Sequence, residues 1–391
     1  MDEFTLREEL LKGEDSTRQF KRRFNLADDV AEEVVAFLNT RGGRIFIGVD
    51  DKDGSIVGVP PDQVDKQSQL IANACDNNLT PPASILTENV TTCDGVVIVA
   101  TIEEGADKPY QTKKGGHFFV KKGADKRHVF NRTELQRLFQ DAHTVYGEAR
   151  IVAGSSIADL DVERFRSFYQ TKYRKPLPTD EADLIRELTA CRLAKDGCLT
   201  VAGVMHFGIH PQQQLPSFTT KAVWFRGKDR SGTDYYDSRQ FAGHLASQYE
   251  EAMAFLRRWN SRIQNGSFNA PPSLEIPEVV FEELVTNALV HRDYFINDSV
   301  KLFIFDNRIE IRSPGRLPNS LTIDEVRRGI RRDRNPVIQS FAYDLLNYRG
   351  LGSGVLRALQ AKPDIEFIED VSGEEVVAII PTQQSTTTQK T

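Results

Sequence analysis

Glu283 and Asn287 are the first side chains in this sequence whose types and spacing suit chemistry. They fall within Pro277 to Tyr294, where Pro277 suits a first helical turn and Val279, Val280, Leu284, Ala288 and Leu289 recur at helical spacing. Residues four apart share a helix face. A carboxylate there can orient water, and an amide oxygen one turn away can ligate Mg²⁺, a pairing suited to phosphate chemistry on a nucleotide. A solvated polar stripe on an amphipathic helix has the same spacing, so the pair alone does not decide between the two.

Further residues of matching chemistry follow. Two β-prone runs, Val300 to Phe305 and Arg308 to Arg312, predict a hairpin turning at Asp306-Asn307, and the second run leads into Ser313-Pro314-Gly315-Arg316. Gly350, Gly352 and Gly354 then precede a helical-looking Val355 to Leu359. Glycines let a backbone approach a phosphate, and a helix N-terminus receives it. Between these motifs lie Arg327, Arg328, Arg331, Arg332 and Arg334, which suit a triphosphate, a nucleic-acid backbone or a second subunit alike.

Together these residues resemble the GHKL ATPase fold of gyrase, Hsp90, histidine kinases and MutL. More closely, they resemble the divergent ATP-binding domain that follows a Schlafen/AlbA-like domain in many bacterial and archaeal proteins, over roughly residues 271–381. The resemblance implies ATP and Mg²⁺ as cofactors. Glu283 would activate water, Asn287 would bind Mg²⁺, Ser313 and Gly315 would lie in the first glycine motif, and Gly350, Gly352 and Gly354 in the lid and second glycine motif. One departure is Ser313, which stands where the family carries an Asp that contacts adenine. A hydroxyl does not accept from the adenine amine as a carboxylate does, so weaker adenine selection and weaker hydrolysis are expected.

The N-terminal part holds a second set. Glu14, Phe20-Lys21, the run Ala36 to Gly43 and the run Ile47 to Asp51 occur in an order that resembles the Schlafen/AlbA-like domain. In nuclease members of that family an acidic cluster holds a divalent metal and assists phosphodiester cleavage. By position it would comprise Glu14, residue 19 and Asp51, but residue 19 is Gln, a poorer ligand for a hard cation, unless Asp15 or Asp50 compensates. Helix capping and turn formation would also account for these acids. Basic residues collect nearby. Arg18, Lys21, Arg22 and Arg23 form one group, and Lys113, Lys114, Lys121, Lys122, Lys126 and Arg127 another. On one face they would bind DNA or RNA with a salt-dependent affinity; otherwise they form a solvated surface. Of the adjacent Phe118 and Phe119, one is expected in the core and one is free to stack on a base.

These residues need elements to position them. A helix is expected around Asp29 to Thr40, followed by a Gly42-Gly43 turn, a strand from Arg44 and a further turn at Asp53-Gly54. A strand at His117 to Lys121 and a helix at Leu135 to Ala142 close this part. Further helices are expected at Val162 to Tyr173, Asp183 to Arg192 and Asp237 to Gln264, and strands at Leu199 to Gly208 and Lys221 to Arg226. The fold class is therefore α+β and multidomain. Expected domains are a Schlafen/AlbA-like domain at 1–145, a connecting and scaffold region at 146–265, a GHKL-like sandwich at 266–381 and a disordered polar tail at 382–391.

Composition bounds the function. The chain has 391 residues and a net charge of −6, so any nucleic-acid contact must be local. Its four cysteines lack zinc-site spacing, and His206 with His210 falls in a strand-like run. With no long apolar run and no leader, a cytoplasmic protein away from the membrane is expected, and a homo-oligomer. Three readings follow: an ATP/Mg²⁺-responsive nucleic-acid-binding protein in regulation or defence against mobile elements, a metal-dependent nuclease, or an assembly protein with a degenerate ATPase domain.

Overall fold

The structure is a computed structural model that describes residues 1–142, 145–231, 234–260, 262–263, 273–274, 276–318, 321–346 and 353–382. Gly350, Gly352 and residues 383–391 of the expected tail lie outside these. The chain divides into two compact units, Met1–Val145 and Tyr146–Thr391.

In the first unit, α1 (Glu3–Leu11), β1 (Arg18–Lys21), α2 (Ala27–Leu38), β2 (Gly43–Ile47), α3 (Pro61–Asn77), β3 (Leu86–Thr92), β4 (Gly95–Ile102), β5 (Phe118–Lys122), β6 (Asp125–Val129) and α4 (Arg132–Asp141) follow one another. The sheet order is β1-β2-β4-β3, with β1 parallel to β2 and the other pairs antiparallel. Helix α2 buries Val30, Val34, Val35, Phe37 and Leu38 in the core. Its end explains the Asn39 to Gly43 run. Buried Asn39 donates from Nδ2 to the carbonyls of Tyr110 (2.8 Å) and Phe119 (3.0 Å) and accepts from Tyr110 N (2.7 Å). Gly43 has φ +154°, and a Cβ there would stand 2.5 Å from Thr17 O, so the turn into β2 excludes a side chain.

The second unit contains α5 (Val162–Tyr173), α6 (Glu181–Ala190), α7 (Val201–Phe207), β7 (Thr220–Phe225), β8 (Tyr235–Phe241), α8 (Leu245–Trp259), α9 (Glu278–Val290), β9 (Val300–Ile304), β10 (Arg308–Pro314), α10 (Pro336–Leu345), α11 (Gly354–Ala361), β11 (Glu366–Asp370) and β12 (Glu375–Pro381), with shorter elements between. Its six-stranded sheet runs β8-β7-β9-β10-β12-β11. Only β7 and β9 pair in parallel. Strands β7 and β8, from segment 146–265, thus share a sheet with strands of segment 266–381. Helix α9 packs beside α8 and α11 and lies on β10. On the opposite sheet face, Arg312 bridges Glu310 (2.9 Å) and Glu375 (3.0 Å) and lies over the Phe303 ring.

Two expected elements differ. The run Leu199 to Gly208 is mainly helix α7, capped by Thr200 Oγ1, which accepts from Gly203 N at 3.1 Å. All seven residues of that helix are buried, so neither period was visible in the sequence. The span Asp237 to Gln264 splits into the end of β8 and helix α8, with Gly243 at φ +88° between them.

Candidate functional site

A cavity enclosing about 1090 Å³, including its open mouth, lies within the second unit between α9, β10, α11 and the chain after β10. It gathers Glu283, Asn287, Ser313, Gly315 and Gly354, five residues separated by up to seventy-one positions in sequence. Helix α9 supplies Glu283 and Asn287 one turn apart, and Leu284 and Ala288 beside them help to form the apolar wall with Ile311, Val326 and Phe367. Arg316, Arg331, Arg332, Arg334 and Arg357 also line it, against Glu283 as the one acid among the described residues. An apolar wall with an excess of guanidinium suits a planar base joined to phosphates.

Backbone chemistry shapes the wall. Gly315 has φ +107°, and a Cβ there would stand 2.5 Å from Asp293 Cβ and 2.8 Å from an Arg334 guanidinium nitrogen. Asp293 N donates to Pro314 O at 2.7 Å, and Arg334 donates to Arg316 O at 2.6 Å, so the Gly315 turn is held from both sides. Asn335 fixes the end of α9 by donating to Val290 O and Arg292 O, each at 2.8 Å. Ser313 Oγ donates to Ala288 O at 2.9 Å, which leaves its lone pairs as acceptors. A Cβ on Gly354 would fall against the Glu283 carboxylate, so α11 and α9 approach only because this position is bare.

Electrostatics set protonation. Burial pushes the His291 imidazole down to about 4, with Arg334 and Arg331 pushing the same way, so it is neutral at pH 7. Glu283 is buried and ion-paired with Arg357. The side chain of Asn287 lines the cavity. An amide oxygen and a carboxylate one turn apart, with bare glycines opposite, form a donor set that fits a nucleotide with Mg²⁺. Sequence reasoning passed over Arg357 and Asp293. The available signal for Arg357 was its place three residues after Gly354, in the first turn of a helix opened by glycine.

The first unit is less accommodating. Glu14 accepts from Gln19 Nε2 (2.5 Å) and from Phe20 N (2.6 Å). Asp50 is ion-paired with Arg22, and Asp15 with Arg18, while Asp51 is exposed. Among the described residues no three His, Cys, Asp or Glu side chains are placed to hold a metal ion. Lys121, expected on a nucleic-acid surface, is instead buried. Its Nζ donates to Gln19 Oε1 and Ala124 O and lies over the Phe37 ring, and burial lowers its basicity. Phe119 and Lys121 share a strand face, and that face packs on α2. The amide at position 19 and the ammonium bonded to it do not fit a hard cation.

The remaining cations differ in exposure. Arg18 pairs with Glu9 at 3.4 Å as well as Asp15, Lys21 with buried Glu33 at 3.2 Å, and Arg127 with Glu134 at 2.7 Å. Arg22 keeps a largely exposed side chain despite its pair with Asp50, and Lys122 is exposed. No helix among the described residues is long and apolar enough to cross a membrane.

Comparison with known proteins gives two family matches. Residues 14–130 match the model described as "Schlafen, AlbA_2", and residues 297–370 match "Putative ATP-dependent DNA helicase recG C-terminal", of the HATPase type. No curated protein matches the chain. Among solved structures, the DIP2311 protein from Corynebacterium diphtheriae is 20% identical with a TM-score of 0.48, covering 97% of this chain and 80% of that one. The N-terminal domain of a RecG-related protein from Nitrosomonas europaea is 25% identical with a TM-score of 0.25, covering 33% and 94%. The chain therefore carries a Schlafen AlbA_2 domain followed by a RecG-type C-terminal domain of the HATPase class.

Proposed function

We propose that this protein binds ATP with Mg²⁺ in the second unit and that nucleotide occupancy changes its affinity for DNA or RNA. The observation that carries the reading is the single cavity in which Glu283, Asn287, Ser313, Gly315 and Gly354 meet five arginines. Leu284, Ile311 and Phe367 offer a base an apolar wall, and Arg331, Arg332 and Arg334 offer phosphates planar donor forks. Asn287 would hold Mg²⁺, which when bound neutralises phosphate charge, and Glu283 one turn away would orient water. Ser313 presents a neutral acceptor where a carboxylate would select adenine, so discrimination among purines is expected to be shallow.

Nucleic acid would meet the exposed cations of the first unit, Arg22 and Lys122 above all, through phosphate contacts. The donor set of Glu14, Gln19 and Asp51 supports no metal-dependent cleavage step.

The test is equilibrium binding of ATP with Mg²⁺ to the full chain and to Asn287→Ala, repeated with short DNA and RNA. Wild-type binding, a loss of about tenfold or more in the variant and an ATP-dependent shift in nucleic-acid affinity are expected. Absence of ATP binding up to millimolar levels would sink the nucleotide reading. Nucleotide-independent oligomers seen by light scattering would favour an assembly platform, and phosphodiester cleavage by the metal-loaded chain would revive the nuclease reading.

A further inference from the structure

The Glu283 carboxylate does not face the cavity alone. One oxygen is ion-paired with an Arg357 Nη, and the other lies where a side chain on Gly354 would have to stand. Arg357 belongs to the first turn of α11, whose early N–H groups have no intrahelical acceptor. A carboxylate is thus placed where guanidinium and the positive end of a helix favour an anion. Among the described residues the buried Arg357 Nε has no hydrogen-bond partner, so the guanidinium has donor capacity these do not use, beside a cavity rich in other arginines.

We infer that Glu283 is an internal stand-in for a phosphate. It holds Arg357 in the empty protein and yields it when a polyphosphate ligand binds, so the water-orienting carboxylate is released only in the liganded state. This rests on the nucleotide reading above and adds a device to it. A carboxylate competing with the ligand for one arginine must weaken ligand binding, and removing its charge must strengthen it. A mere staple between α9 and α11 has the opposite consequence, because its loss loosens the wall of the cavity.

The experiment is calorimetric titration of inorganic tripolyphosphate, and of the β,γ-imido analogue of ATP, into the full chain without divalent metal. Neither readout depends on hydrolysis. Wild type is compared with Glu283→Gln and Arg357→Gln, each checked by thermal unfolding. Glu283→Gln is expected to bind both ligands about tenfold tighter, and Arg357→Gln about tenfold more weakly. If wild type binds and Glu283→Gln binds equally or less well, the stand-in is refuted while the nucleotide site survives. If neither protein binds either ligand, and the titration repeated with Mg²⁺ shows no binding either, the nucleotide reading fails and takes the stand-in with it; binding by both proteins only with Mg²⁺ at equal affinity refutes the stand-in alone. Should Glu283→Gln not fold, Glu283→Asp carries the same comparison, since its shorter reach weakens the hold on Arg357.

Discussion

Replacing Glu148 by Gln should change how the second unit's stability depends on pH. Glu148 is fully buried, and its two oxygens accept from Val337 N (2.8 Å) and Ile338 N (2.6 Å), the first turn of α10. Burial pushes its carboxyl up to about 7, outweighing the two amide donors. The folded state therefore holds a proton that the unfolded chain releases near 4.5. The resulting stabilisation is complete at low pH and is lost as pH rises through about 7, which amounts to roughly 2–3 kcal/mol between pH 5 and pH 8.

Two histidines oppose this in wild type. Burial depresses His206 to about 3 and His291 to about 4, so each costs stability as pH falls below the usual imidazole range. The variant keeps both, and the difference between wild type and Glu148→Gln cancels them. Gln also loses one acceptor, a cost of about 1–3 kcal/mol that does not vary with pH. Both tryptophans, Trp224 and Trp259, lie in the second unit, so urea unfolding followed by their fluorescence reports on it alone. The stability advantage of wild type should shrink by roughly 2–3 kcal/mol from pH 5 to pH 8. A difference that stays flat, or grows with pH, would mean that the helix amides outweigh burial and refute the argument.

Further substitutions test the two units separately. Gly315→Ala should destabilise the second unit by about 2–5 kcal/mol through left-handed strain and contact with Asp293, and should remove ATP binding, both measurable by fluorescence unfolding and calorimetry. Lys122→Ala should lower the slope of log affinity against log salt for DNA by about 0.9 if it meets one phosphate. Lys121→Met should leave that slope unchanged, because its ammonium is already bonded to Gln19 and Ala124; a lowered slope would restore Lys121 to the nucleic-acid surface.

Much of the site was legible because it is written in short-range patterns. Helical spacing put Glu283 and Asn287 on one face, and Gly315 and Gly354 marked places where a backbone comes close to something else. The turn at Gly42-Gly43 and the hairpin β9–β10 were likewise local. Lys121 shows the limit. Strand alternation placed it on the same face as Phe119, but only the packing of that face on α2 shows that an ammonium is buried there. Helix α7 shows another, since a segment buried on every side displays no period to read.

Residue type and spacing over three to five positions thus settled which side chains can act as a unit, because helix and strand geometry acts over that range. The resemblance those residues carry implied a Schlafen-type part joined to an ATPase-type part, and the two family matches bear it out. Which charges neutralise one another was decided by packing between distant segments. Arg357 meets Glu283 across seventy-four positions because α11 lies against α9, and Lys121 meets Gln19 across one hundred and two because β5 packs on α2, with the ammonium over the Phe37 ring. Coulomb energy depends on separation in space and on burial, and neither can be read from order along the chain.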